Sequence, residues 1–170
     1  MSTFGVNTVI KKEDSLLLVK RSDFDIWALP GGGINNGESV ESAVIREAKE
    51  ETGIDVEIDR LVGVYSRPEW KDGGDHSIVF LCKTITNDYR PDNKETIDCK
   101  YFRKDQLPFN VWPPHIEMIN DSFSQYMLPV IKIQSYRWKL GEKVGWHEAV
   151  KLYMSSGLSG IEFVRLMLIQ

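Results

Sequence analysis

The chain has 170 residues, of which 42% are hydrophobic and 27% are charged, and its formal net charge at pH 7 is −4. That length is enough for one domain with a sizeable core, and the net negative charge argues against nucleic acid as a partner. Because no apolar run reaches the roughly 18 residues of a membrane span, and no signal sequence is recognised at the N-terminus, we expect a cytoplasmic protein without a membrane partner.

The N-terminal part of the chain predicts a β-hairpin followed by a glycine loop. Residues 4–10 and 15–19 are mostly apolar, and the polar turn 11–14 separates them. This pattern favours two antiparallel strands joined by a tight turn. The short apolar segment 26–29 then leads into Pro30, Gly31, Gly32 and Gly33.

Residues 39–52 predict a helix with recognisable ends. Ser39 is a favourable N-cap, and Glu41 suits the positive end of the helix dipole. Gly53 is a stop signal at the C-terminal end. The helix needs an apolar stripe to pack on a core, and four residues supply it: Val40, Ala43, Val44 and Ala48.

Three further strands are predicted in the middle of the chain: residues 56–66 with a bend near Gly63, residues 76–84, and residues 97–103. Strands on both sides of one helix indicate an α/β (α+β) fold with a mixed sheet covered by helices. The polar loops 68–75 and 87–94 connect these strands. We expect them to select the substrate.

The C-terminal part predicts a helix at 115–126 and then a separate extension. Pro129 breaks the chain, so we expect a domain at residues 1–128 and an extension at 129–170. The extension reads as a strand at 134–140 and helices at 146–154 and 159–168. Its aromatic residues are too many to be left in solvent, so we expect it to pack on the domain or form a homodimer; they are Trp138, Trp146, Tyr153 and Phe163.

Three glutamates of the predicted helix are the clearest candidate functional residues. Glu47, Glu50 and Glu51 lie at offsets i, i+3 and i+4, which places them on one helix face. Like charges on one face repel, and a bound divalent cation relieves that repulsion. Carboxylate oxygens suit hard ions such as Mg²⁺, Mn²⁺ or Ca²⁺. The alternative is a solvated acidic face.

The segment around these glutamates resembles the signature of the MutT-like Nudix hydrolase family. That signature reads G, five residues, E, seven residues, R-E, an apolar residue, any residue, E-E, any residue, G and an apolar residue. Every position fits, and the preceding W-A-L-P-G-G is similar to the family's usual entry into the glycine loop. The matching residues are Gly32, Glu38, Arg46, Glu47, Ala48, Glu50, Glu51, Gly53 and Ile54.

The resemblance implies a fold, a reaction and a metal site. The fold is the Nudix-type α/β/α sandwich, and the reaction is hydrolysis of a nucleoside diphosphate linked to another group. Mg²⁺ is the expected ion, with Mn²⁺ as the alternative, and it would bridge the diphosphate oxygens and activate the attacking water. The implied ligands are Glu47, Glu50, Glu51 and the Gly32 carbonyl.

Two further catalytic residues are implied beside the metal. Arg46 would orient the carboxylates by pairing with Glu38 or Glu47. The general base is either one of the helix glutamates or a carboxylate from a later loop, for which Glu95 is the candidate. Glu95 has two alternatives, an outer helper of the metal or a solvated loop charge.

Candidate substrate contacts are less sharply indicated. Arg21 and Arg67 each follow a strand and would contact a phosphate, or else be ordinary charges. Gly31 and Gly32 let the backbone approach a ligand closely. Trp27 would stack on a base, although a core position is the common alternative for such a tryptophan. His115 is expected on a helix surface or an interface.

The segment from residue 63 onwards is similar to the ADP-ribose-pyrophosphatase-like branch of the family. This makes ADP-ribose, or another nucleoside diphosphate sugar, the first choice of substrate. The main competitors are a nucleotide-diphosphate-linked alcohol and a dinucleoside polyphosphate, and an oxidised nucleoside triphosphate is another. The other class of function is a nucleotide-sensing module without activity, but such modules usually lack one of the carboxylates that this chain keeps.

Overall fold

The computed structural model describes residues 3–70, 73–86, 88–91, 94–125, 128–138 and 146–169. Within these ranges the chain forms strands and four α-helices, plus a 3₁₀ turn at Lys104–Gln106. The helices are α1 (Val40–Thr52), α2 (Pro113–Ser122), α3 (Trp146–Ser156) and α4 (Gly160–Met167). The strands are β1 (Thr3–Lys12), β2 (Ser15–Arg21), β3 (Trp27–Ala28), β4 (Gly31–Gly33), β5 (Val56–Arg67), β6 (Asp75–Thr84), β7 (Thr96–Arg103), β8 (Val130–Ile133), β9 (Arg137–Trp138) and β10 (Leu168–Ile169).

Eight of these strands form one mixed sheet in the order β3-β2-β1-β6-β5-β8, with β4 beside β1 and β7 beside β2. Strand β1 runs parallel to β6, whereas β5 and β6 are antiparallel. The start of β1 pairs with the glycine strand β4, and its end pairs with β2. The glycine loop is therefore fixed to the centre of the sheet by backbone hydrogen bonds, which makes it a rigid support for a site.

Helices α1 and α2 cover opposite faces of the sheet. Alternate residues of a strand point to opposite faces, so Val6 and Ile10 pack with α1 whereas Val9 packs with α2. The contributing helix residues are Ala43, Val44 and Ala48 of α1, and Met118 and Ile119 of α2. The predicted α/β fold, with a mixed sheet between helices, is confirmed.

The ends of α1 follow from its sequence. The Ser39 hydroxyl accepts a hydrogen bond from the Ser42 N–H at 3.1 Å, which satisfies one free donor of the first turn. Gly53 adopts a left-handed conformation with φ 72° and donates its N–H to the Lys49 carbonyl. The predicted N-cap and stop residue are both confirmed.

The second half of the chain departs from the predicted boundaries. Helix α2 ends at Ser122, four residues before the predicted end, and residues 126–127 lie outside the described ranges. The predicted strand 134–140 is also wrong at its start. Gln134 follows β8 with its side chain buried, where its carbonyl oxygen accepts a hydrogen bond from Arg67. Residues 139–140 are not described.

The C-terminal segment contacts the rest of the chain in two places. Strand β8 pairs with β5, so the predicted boundary at 128–129 precedes the last strand of the main sheet, and the division into two domains stays a prediction. Helices α3 and α4 pack against the loop after β2 and against Trp70. The buried cluster consists of Phe24, Ile26, Trp70, Ala149, Ile161, Phe163 and Val164. The side chains of Trp138 and Trp146 lie outside the description.

Candidate active site

The glycine strand and the C-terminal half of α1 are in direct contact. The Gly31 N–H donates to Glu51 Oε2 at 2.9 Å. A Cβ atom at residue 32 would lie 2.5 Å from Glu47 Oε1, so only glycine leaves room for that carboxylate. Gly31 has φ 156° and would clash with the Val6 carbonyl if it carried a side chain. The glycines are required because the backbone passes between β1 and two carboxylates.

Arg46 links the acidic residues of the loop and the helix. Its Nε and Nη2 donate to both oxygens of Glu38, at 2.7 and 2.8 Å. Its Nη1 donates to Glu47 at 2.7 Å and to Glu50 at 3.0 Å, and Nη2 also donates to the Gly33 carbonyl. Arg46 thus pairs with both predicted partners at once and holds the helix against the glycine loop.

The carboxylates of the site have divergent proton affinities. The hydrogen bonds from Arg46 lower the pKa of the Glu38 carboxyl to about 2. Burial raises the pKa of Glu47 despite its bond to Arg46. Burial also raises the pKa of Glu51 to about 7, and the charges of Glu47 and Glu95 add to that effect. Glu47 is buried and Glu51 is half-buried, and for both the loss of hydration outweighs the attraction of the nearby arginines.

Glu95 lies close enough to act on these carboxyl groups. The segment before β7 is tied to the loop after β2, because the Ser22 N–H donates to the Glu95 carbonyl at 2.9 Å. The Glu95 side chain is exposed, yet its charge raises the pKa of both Glu47 and Glu51. The predicted candidate base thus stands within electrostatic range of the helix carboxylates.

The residues present fit a hard divalent cation. Among the described residues, no three Asp, Glu, His or Cys side chains converge in a geometry ready for a metal, since Arg46 and the Gly31 N–H engage the carboxylates. The donor set itself consists of oxygens, as Mg²⁺ and Mn²⁺ require. Burial and the charges of neighbouring carboxylates raise the pKa values of Glu47 and Glu51, and a divalent ion beside them would favour their charged forms.

A cleft of about 320 Å³ opens beside the glycine strand. Four of the predicted substrate contacts line it: Arg21, Arg67, Gly31 and Gly32. Arg21 forms a bidentate pair with Asp23, at 2.9 and 2.6 Å. Burial lowers the pKa of Arg21, but attraction to Asp23, Glu51 and Glu95 outweighs burial and raises it overall. Its charge is thus fixed at the wall of the cleft.

Arg67 lies at the floor of the same cleft and is bonded mainly to protein. It is 5% exposed, and its guanidinium donates to Asp75 at 2.7 and 3.1 Å, to Ser77 at 2.8 Å and to Gln134 at 2.7 Å. These bonds join β5, β6 and the segment after β8. Arg67 consequently holds the floor of the cleft together, and a phosphate contact stays a proposal.

Trp27 does not lie where a substrate contact requires. Its ring packs edge-on against Phe102, with centroids 4.8 Å apart, inside the cluster on the α2 side of the sheet. The residue does not line the cleft, so the substrate-binding interpretation is corrected to a core position. The physical reason is its packing in that cluster, whereas the neighbouring Ala28 belongs to the cluster on the α1 side and lines the cleft.

Two other tryptophans, which the sequence did not single out, line the cleft instead. Trp70 and Trp112 form a T-shaped pair with centroids 5.9 Å apart. Both lie in loops, Trp70 after β5 and Trp112 just before α2. The sequence signal for them is an aromatic residue next to a predicted strand or helix. That signal does not indicate which loops lie together in the fold.

His115 is also placed differently from the prediction. It is 8% exposed and lines the cleft rather than a helix surface. Its Nδ1 accepts a hydrogen bond from the Leu29 N–H at 2.9 Å. Burial, followed by the nearby charges of Arg67 and Arg21, lowers the pKa of His115 to about 3. The imidazole is therefore neutral near pH 7.

The chain is similar in sequence to known proteins over much of its length. The family model described as NUDIX domain matches residues 1–122. A putative 8-oxo-dGTP diphosphatase of Bacillus subtilis is 35% identical over 113 residues, which cover 66% of this chain and 74% of that protein. An ADP-ribose pyrophosphatase of Methanocaldococcus jannaschii is 38% identical over 109 residues, which cover 61% of this chain and 63% of that protein.

Solved structures agree on the fold. The crystal structure of a NUDIX hydrolase from Nitrosomonas europaea superposes with a TM-score of 0.69 at 23% identity, covering 78% of each chain. At that identity the similarity concerns the fold alone. Within the described residues, none of the helices is long and apolar enough to cross a membrane.

Proposed function

The chain belongs to the Nudix hydrolase family, and on that premise we propose that it hydrolyses the diphosphate linkage of a nucleoside diphosphate derivative, with ADP-ribose or another nucleoside diphosphate sugar favoured. One observation carries the proposal. The glycine strand lies against the carboxyl groups of Glu47 and Glu51, at the wall of a cleft large enough for a small ligand. This combination offers close backbone approach, negative charge for a cation and space for a substrate.

Nudix hydrolases generally use divalent metal ions, and we propose Mg²⁺ here, with Mn²⁺ as a substitute. Glu47, Glu50, Glu51 and the Gly32 carbonyl would hold it. When bound, the ion supplies charge neutralisation for a diphosphate and makes an attacking water more acidic. The donor set supports this assignment because it is made of oxygen atoms, which are the ligands that Mg²⁺ and Mn²⁺ prefer.

The chain's own residues supply orientation and proton transfer. Arg46 fixes the carboxylates of Glu47 and Glu50 by direct hydrogen bonds, and the Gly31 N–H fixes Glu51. Arg21 places a permanent positive charge beside the substrate's phosphates. Glu95 is the proposed acceptor of the water proton, since its carboxylate is exposed yet close to the cluster in electrostatic terms; a helix glutamate is the alternative.

The choice of substrate is supported by the relatives, one of which is named an ADP-ribose pyrophosphatase. The main competitor is an oxidised nucleoside triphosphate, because another relative is named a putative 8-oxo-dGTP diphosphatase. Dinucleoside polyphosphates are the third class of candidate substrate. A nucleotide sensor without activity is disfavoured, because every carboxylate of the signature is present. A cytoplasmic location and a homodimer stay predictions.

A substrate panel tests the proposal. We expect product release from ADP-ribose, with Mg²⁺ present and not with chelator, at a higher kcat/KM than from 8-oxo-dGTP or a dinucleoside polyphosphate. Glu50→Gln should lower turnover by about 100-fold or more, because it weakens the metal site. Glu41→Gln changes an exposed residue of the same helix and should match the parent. Tight binding of one compound without turnover of any would contradict the proposal.

A further inference from the structure

Within the described part of the chain, the imidazole of His115 has one nitrogen with a protein partner and one without. Nδ1 accepts from the Leu29 N–H at 2.9 Å. Among the described residues, no protein group is hydrogen-bonded to Nε2. Nε2 is also accessible to solvent, because Thr8 Oγ1 is the only fully buried side-chain polar atom without a partner in the described residues. The residue is 8% exposed and lines the cleft. The cleft is thus where Nε2 meets solvent.

The contact with Leu29 decides which nitrogen carries the proton. An acceptor nitrogen has no hydrogen, so in the neutral ring Nε2 carries it and can only donate. Protonating Nδ1 would place two N–H groups face to face, and the ring stays neutral because burial and two arginines disfavour the imidazolium. His115 therefore presents a fixed donor to the cleft.

The surroundings of this donor favour an anionic acceptor. Arg67 and Arg21 line the same cleft and, although Asp75 and Asp23 pair with them, they are the charged groups that act on His115. Glu51 and Asp75 also line the cleft. Within the diphosphate derivative of the proposed function, the anionic acceptors are the phosphate oxygens. A hydrogen bond to a charged oxygen is also stronger than one between neutral groups.

We propose that His115 is a substrate-binding residue that donates a hydrogen bond from Nε2 to a phosphate oxygen of the bound substrate. The inference rests on the proposed function, because the substrate is a nucleoside diphosphate derivative. The competing role is purely structural, in which His115 serves only to satisfy the buried Leu29 N–H.

Two substitutions separate these roles. His115→Asn puts Oδ1 where Nδ1 stands, keeps an acceptor for the Leu29 N–H and removes the donor from the cleft. His115→Gln puts an amide N–H where Nε2 stands and leaves the Leu29 N–H unpaired. We expect the Asn variant to fold like the parent but bind ADP-ribose about 10-fold or more weakly. The Gln variant should have a lower Tm with affinity restored to within about 3-fold of the parent.

Two measurements read the outcome, with Ile116→Ala on the same helix as the exposed control. The first is the Kd of ADP-ribose by calorimetry with Ca²⁺ in place of Mg²⁺, together with kcat and KM in Mg²⁺. The second is the ¹⁵N spectrum of histidine-labelled protein, in which we expect Nδ1 unprotonated and the Nε2–H resonance displaced when ADP-ribose is added.

Each outcome supports or overturns the inference. An Asn variant with the parent's Kd, a ring protonated at Nδ1, or an Nε2 resonance unmoved by bound ADP-ribose would overturn it. Binding with the expected Asn effect but no turnover would overturn the proposed function alone, whereas turnover without the Asn effect would overturn only the role of His115. If ADP-ribose does not bind, the panel member that binds takes its place, and a parent that binds none overturns both.

Discussion

At the scale of single residues, Gly32 makes the tightest demand on the site. Replacing it with alanine would put Cβ 2.5 Å from Glu47 Oε1, so the carboxylate has to move. A displacement of about 1 Å in catalytic geometry costs on the order of 100-fold in rate. We therefore predict that Gly32→Ala lowers kcat/KM by about 100-fold and weakens Mg²⁺ binding, measured by steady-state kinetics and metal titration.

The neighbouring glycine provides the matched control. A Cβ atom at Gly33, which also lines the cleft, would have no protein atom within 4 Å, so Gly33→Ala leaves the Glu47 carboxylate in place and should keep Mg²⁺ binding within about 2-fold of the parent. Equal losses in the two variants would show that backbone freedom of the loop, rather than the space beside Glu47, is what the glycines provide.

Glu51 gives the metal-free protein a predictable dependence on pH. Its pKa is about 7 in the folded chain, against an ordinary value of 4.5. Between these values the folded state binds the proton and the unfolded state has lost it, so the stability that Glu51 contributes is fully present below pH 4.5 and is lost as pH rises through 7. The loss from this one group is about 3 kcal/mol.

Urea unfolding in chelator between pH 5 and 8 measures this effect. The parent should lose stability over that range relative to Glu51→Gln, whose amide does not titrate. Added Mg²⁺ should recover more stability at pH 8 than at pH 5, because a cation competes with the proton for Glu51. Parallel curves for the two proteins would mean that Glu51 is not the group responsible.

At the scale of secondary-structure elements, the sequence predicts an element's ends well where nearby residues determine them, and poorly where a distant contact does. The ends of α1 follow from Ser39 and Gly53, whose effects reach no further than the first and last turns. The residues after β8 were misassigned because the side chain of Gln134 turns inward to bind Arg67, a partner 67 residues away. Periodicity carries no information about such a partner.

Helix α4 begins at a contact that a side chain would prevent. A Cβ atom at Gly160 would overlap the Phe24 carbonyl oxygen, in the loop that also carries the Asp23 partner of Arg21. We predict that Gly160→Ala displaces α4 or this loop, destabilises the protein by about 2 kcal/mol and reduces kcat/KM. Thermal unfolding and kinetics measure both effects.

Leu166→Ala is the control for that prediction, since Leu166 lies on the exposed side of α4. It should leave the Tm and kcat/KM near the parent values. A Gly160→Ala protein with the parent's Tm would show that α4 is not seated against the loop in solution.

At the scale of the whole molecule, the acidic half of the site could be predicted and the cleft could not. One helix carries Glu47, Glu50 and Glu51, so their spacing in the sequence predicts that they lie on the same face. The cleft instead combines Arg21 from β2, Trp70 after β5 and His115 from α2. Only the topology of the sheet brings these segments together, which is why Trp70 was missed and His115 was expected on the surface.

The hydrogen bonds of Arg46 affect the order in which the chain folds and binds its metal ion. Many metal sites are assembled only when the ion is present, because bare carboxylates push the chain apart. Here a guanidinium already compensates Glu38, Glu47 and Glu50, and the raised pKa of Glu51 lets a proton do the same for that residue. A newly synthesised chain can therefore fold first and bind its ion afterwards, when the ion replaces the proton on Glu51.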